Sequence, residues 1–168
     1  MTISMYAASV PVFKRNLAAL ATILGKAHAH CASANHTESA YLQARLFPDM
    51  FALAKQVQVA ADFAKSGAAR LAGVEPERFE DTEQSFAELK ARVEKTIAYI
   101  ETFTSVQIDG SEARAVKYMM GKFPIDMKGQ DYLLGFILPN FFFHYTTAYN
   151  LLRHNGLAIG KGDFMGLA

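Results

Sequence analysis

The stretch Pro139-Asn140-Phe141-Phe142-Phe143-His144-Tyr145-Thr146-Thr147-Ala148-Tyr149-Asn150-Leu151-Leu152-Arg153-His154-Asn155-Gly156 decides how this chain reads. It is an apolar helix closed by a glycine, with Arg153 and His154 placed favourably in its last turn. Residues three and four apart share a helix face. Asn140, His144 and Thr147 therefore form a polar stripe along a surface otherwise made of Phe and Leu. A polar line on a packing face is either a site or a satisfied core network.

Working back from this segment, the spacing predicts a helix from about Asp131 to Asn155, bent or restarted at Pro139. Ahead of it, residues 106–130 lose the helical period. Gly110, Gly121, Pro124 and Gly129 punctuate them, and the runs Ala115–Met119 and Lys122–Met127 form a small hairpin or irregular insertion around Gly121. Three more amphipathic helices precede that insertion. Tyr6, Val10, Phe13, Leu17, Leu20, Leu24 and Ala27 step by three and four, with Pro11 starting or kinking the helix. A short helical stretch follows near Glu38 to Arg45. The second long helix begins at Pro48 and Asp49, runs through Leu53, Val57, Ala61, Ala64 and Ala68, and stops at Gly73. Asp81 and Gln84 read as a capping box for the third, whose apolar line is Phe86, Leu89, Val93, Ile97 and Ile100. Its charged residues Glu88, Lys90, Arg92, Glu94 and Lys95 read as a solvated face. The tail after Leu157 reads as an extended segment packed on the helices.

Four long helices with modest connections predict an all-α bundle, residues 1–168 forming a single domain. With 51% apolar and 20% charged residues, the composition is that of a globular protein. A net charge of +1 with no basic block argues against a nucleic-acid partner. The apolar run 132–143 is too short to span a bilayer, and the N-terminus lacks the order of a signal peptide. Cys31 is the single cysteine, which excludes an intrachain disulfide and suits a reducing compartment, so a cytoplasmic location is expected. The last helix is apolar almost all round, which calls for a central position or a partner chain. A homodimer through that helix is the expectation.

The chemistry on offer centres on His144. Gln56, Gln58 and Asp62 lie on the second long helix, and Asp49 lies at its start. His144, Asn140, Thr147, Gln56, Gln58 and Asp49 are the candidates for a pocket taking a small molecule. The bland reading is a core histidine hydrogen-bonded to Asn140, Gln56 or Gln58, with Asp62 paired to Lys55 or Lys65. No cofactor is required by that reading. The alternative is a divalent metal such as zinc or nickel held by His144 with Asp49 and Asp62. No serine elbow, phosphate loop or HExxH pattern is present.

Several separated motifs, in order, resemble an uncharacterised bacterial family, the domain of unknown function DUF1993. They are Arg45-Leu46-Phe47-Pro48-Asp49-Met50, Phe63-Ala64-Lys65, Arg70-Leu71-Ala72-Gly73, Leu138 through His144, Leu151 through Gly156, and Gly160 through Gly166. The resemblance spans nearly the whole chain. It implies a bundle similar to the DinB/YfiT superfamily, whose better-known members include metal-dependent thiol transferases. In that superfamily the last helix carries two metal-binding histidines four apart, followed by Leu-Arg and Gly. His144, with Leu152-Arg153 and Gly156, matches the second histidine, and Asn140 stands at the first. A third is expected on the second long helix, where this chain has Gln56 and Gln58. The resemblance thus implies a degenerate metal site. Two readings follow: a homodimeric small-ligand binding or interaction protein, or a metal-dependent thiol-transferase-like enzyme using His144 with oxygen ligands.

Overall fold

The computed structural model describes residues 3–167 and is mostly helical, with one small two-stranded sheet. The elements in order are α1 (Val10–Ala34), α2 (Glu38–Leu42), α3 (Leu53–Leu71), α4 (Phe86–Ile100), α5 (Ser105–Ile108), β1 (Ala115–Met120), β2 (Phe123–Lys128), α6 (Gly129–Asp131), a π-helical run (Tyr132–Ile137), α7 (Leu138–His154) and α8 (Lys161–Phe164). Helix α1 packs on α4, and α3 lies between α4 and α7. The core between them is filled by the fully buried Phe13, Leu17, Leu53, Val57, Phe86, Leu89, Phe141 and Tyr145. Burying each such side chain stabilises the fold by about 1.5–3 kcal/mol before entropy is counted. Ala60, Ala61, Ala64 and Ala68 are all buried on α3, letting its backbone approach both neighbours closely.

Pro11 sits in the first turn of α1, where its missing N–H is harmless. The second long helix starts later than its sequence suggests. Pro48 and Asp49 belong to a turn closed by Met50 N–H donating to Phe47 O at 3.0 Å, and α3 begins at Leu53, whose N–H is held by Ala44 O at 3.0 Å. The far end behaves as expected: Gly73 takes φ +78°, and Val74 N–H reaches back to Ala69 O at 2.9 Å.

Two expectations about α4 are corrected. Asp81 is not its cap. Ser85 is, its hydroxyl accepting from Glu88 N–H at 3.2 Å, while the Glu88 carboxylate takes the N–H of Gln84. Nor is Arg92 on a solvated face, for its side chain is almost wholly buried. Its guanidinium donates to Asp62 at 3.1 Å, Asp81 at 3.0 Å, Glu83 at 3.1 Å and the Glu80 carbonyl at 2.8 Å. One buried cation thereby ties α3 and α4 to the connection between them. Burial alone would raise the Asp81 carboxyl, but hydrogen bonds and charge from Lys55 and Arg92 outweigh it and hold it below its ordinary value.

The hairpin forms with Val116 opposite Met127 and Tyr118 opposite Ile125, burying Val116 and Ile125. Gly121 supplies the positive φ, +59°, that its two-residue turn requires. Where the hairpin returns, a Cβ on Gly129 would lie 2.0 Å from the Ser111 carbonyl, so only glycine fits. The last helical run is continuous rather than broken at Pro139. The wide π-helical turns just before it absorb the proline, and Asn140 Nδ2 donates back to Phe136 O at 2.7 Å. The tail is not simply extended either. It contains α8, with Asp163 accepting from Gly160 N–H at 2.7 Å and the Tyr145 hydroxyl donating to Phe164 O at 2.5 Å. No described helix is long and apolar enough to cross a membrane.

Candidate functional site

Helices α3 and α7 bring His144 and Gln56 together, 88 residues apart in sequence. His144 Nδ1 lies 2.7 Å from Gln56 Oε1. The Gln56 amide is itself oriented, because its Nε2 donates to the Phe51 carbonyl at 3.1 Å. A carbonyl can only accept, so the nitrogen of Gln56 must face Phe51 and its oxygen must face His144. Nδ1 therefore carries the proton. Nε2 keeps its lone pair and has no hydrogen-bond partner among the described residues, yet it is not one of the sealed polar atoms. The chain thus offers a single fixed acceptor nitrogen towards the outside.

Two phenylalanine rings run nearly parallel to the imidazole. Phe63 stacks on one face at 5.8 Å and 13°, and Phe51 at 6.3 Å and 25°; Phe143 meets it edge-on at 5.1 Å. Apolar walls remove water from the ring, which is 8% exposed. Burial pushes its ionisation down to about 4, so the ring is neutral near pH 7. A histidine tuned that low is a hydrogen-bond acceptor and a weak base.

The other sequence candidates do not converge on it. Thr147 Oγ1 donates to Phe143 O at 2.7 Å, within its own helix, as Asn140 does. Gln58 donates to Glu83 at 2.8 Å. Asp49 is exposed in the turn before α3. Asp62 is held by Lys65 at 2.8 Å and by Arg92, as the bland reading anticipated in part. Asn140 still lies one turn from His144 on the same face, and its Oδ1 makes no bond to the described residues. Phe51 and Phe63, which make the site, were not singled out in the sequence; their aromatic type beside Gln56 on and before α3 was the available clue.

With the geometry in view, the chain can be set beside known proteins. The family model described as domain of unknown function (DUF1993) matches residues 5–165. The chain belongs to the DUF1993 family. It is also similar to a solved protein, a DinB family member from Shewanella denitrificans whose crystal structure was determined at 1.83 Å resolution. The two are 34% identical with a TM-score of 0.87, over 96% of this chain and 91% of that one. No curated protein matches it.

A metal implied by DinB-type resemblance does not fit the donors present in this DUF1993 chain. Gln56 and His144 point a proton and a lone pair at each other over 2.7 Å, which leaves no room for an ion between them. Among the described residues, no three His, Cys, Asp or Glu side chains gather as a metal-binding group. Only His144 Nε2 and the neutral Asn140 oxygen remain available on that face, and two such donors hold zinc or nickel poorly.

Proposed function

We propose that this DUF1993 chain is a cytoplasmic binding or interaction protein of DinB-like four-helix architecture in which a hydrogen bond stands at the position where the resemblance to the DinB/YfiT superfamily implies a metal. The observation that carries this reading is the Phe51–Gln56–His144 relay, which fixes one tautomer and directs an unprotonated Nε2 outward. The ligand class it suits is a small molecule with one N–H or O–H donor for Nε2 and a flat apolar portion to lie along Phe51 and Phe143. Elemental analysis of protein supplied with zinc, nickel and manganese tests the reading. Well under one metal per chain is expected. One equivalent of metal that disappears in His144→Ala overturns it and restores the transferase alternative.

The same proposal includes a homodimer through the last helical run. Leu134 is 53% exposed and Phe143 55%, and Phe51, whose ring stacks on His144, is exposed as well. Covering those side chains would remove apolar area from water. Light scattering at micromolar concentration should give twice the 18.5 kDa chain mass, and Phe143→Glu should return a monomer. A monomeric mass for the unaltered protein removes the dimer from the account.

A further inference from the structure

We infer that the cleft between α3 and the tip of the β-hairpin is a second binding site, for a small carboxylate with a flat apolar body. The cleft encloses about 360 Å³, within the range of small-molecule sites. Val59, Phe63 and Ile137 give it an apolar lining, to which Met119 and Met120 of the hairpin contribute. Methionine is adaptable in shape, and both are exposed. Ser66 and Arg70, one helical turn apart on α3, both line this cleft, and Arg70 also borders the neighbouring hollow beside Glu75.

The charge on Arg70 is what selects the ligand. Its side chain is 16% exposed, and its one carboxylate neighbour among the described residues is Glu75 at 3.8 Å, itself 86% exposed and too distant to hydrogen-bond. The guanidinium instead lies 3.7 Å from the centre of the Tyr118 ring. Ser66 makes no side-chain hydrogen bond among the described residues. A mostly buried cation and a free hydroxyl thus line one cleft, and a carboxylate supplies acceptors for both. Asp62 also borders the cleft, but Lys65 and Arg92 both pair with its Oδ1 and offset its charge.

The site is separate from the relay at His144, though Phe63 walls both. Titration of the ¹⁵N-labelled protein with benzoate and with benzyl alcohol tests the assignment. Benzoate should shift the amides of Ser66, Arg70, Tyr118 and Gly121 in saturable fashion, and benzyl alcohol should bind about tenfold more weakly or worse. Arg70→Gln should weaken benzoate by about tenfold or more. Lys122→Gln, removing an exposed cation at the hairpin turn, should leave binding unchanged. Absence of saturation, shifts confined to other regions, or equal binding of the alcohol overturns the proposal in the unaltered protein, whatever the fold of the Arg70 variant.

Discussion

Replacing Arg92 with methionine is expected to destabilise the protein by about 3–5 kcal/mol at neutral pH, the typical cost of removing one partner from a buried ionic cluster. The side chain is 2% exposed and pairs with Asp62, Asp81 and Glu83 at once, with Lys65 and Lys55 completing the balance at Asp62 and Asp81. Without it, Glu83 loses its cation, the carboxylates repel one another and the Glu80 carbonyl loses its donor. Arg92→Lys is expected to recover only part of the loss, since one ammonium cannot span both arms of the cluster. The pH dependence follows in sign. Asp81 has a folded-state ionisation below its ordinary 3.8, so its contribution is complete above that value and disappears as pH falls through the lowered one. Denaturant melts of the unaltered and variant proteins should therefore converge in acid. A loss under 1 kcal/mol at pH 7 would mean that the cluster contributes little.

The second large effect is a loss of stability between pH 6.5 and about 4 caused by His144. Its folded-state ionisation is depressed from 6.5 to about 4 by burial beside phenylalanine rings. In the unfolded chain the ring takes a proton as pH drops below 6.5, whereas in the folded chain it resists until about 4. Stability is thus full above 6.5 and falls across that window, by roughly 3 kcal/mol in total. Subtracting the curve of His144→Gln, which has no titrating ring, isolates the effect. A difference curve that is flat over the window would show that His144 is not desolvated as described.

Much of the fold was legible because it depends on period and punctuation. The three- and four-residue steps from Val10 to Ala27, the stop at Gly73 and the turn at Gly121 all express local rules that the packing does not override. The start of α3 was not, because Pro48 suits either a first helical turn or the isolated turn it occupies. Only the tertiary bond from Leu53 to Ala44 decides. Arg92 was misread for a related reason. A charge at a flank of a helix looks solvated until three carboxylates from α3 and the connection close over it. No local pattern announces the π-helical run either, although Pro139 just beyond it marks where the ladder must adjust.

The site divides along the same line. His144 and its possible partner Gln56 could be named from spacing on two helices, and α3 and α7 do place them in contact. Asn140 and Thr147 looked like members of one polar stripe, but each donates to a carbonyl four residues back. Stripe periodicity does not distinguish a side chain aimed at a ligand from one bonded to its own helix. The aromatic contacts of His144 and the Arg70 cleft rest on contacts across elements, which no spacing within one element records.

The binding function proposed here depends on one tautomer of His144, fixed by its hydrogen bond to Gln56. Nitrogen-detected NMR of the imidazole at pH 7 measures it directly. The account predicts a protonated Nδ1 and an unprotonated Nε2, with the pattern unchanged on adding one equivalent of zinc or nickel and lost in Gln56→Leu. A protonated Nε2, or a metal-induced shift of either nitrogen at one equivalent, would contradict it.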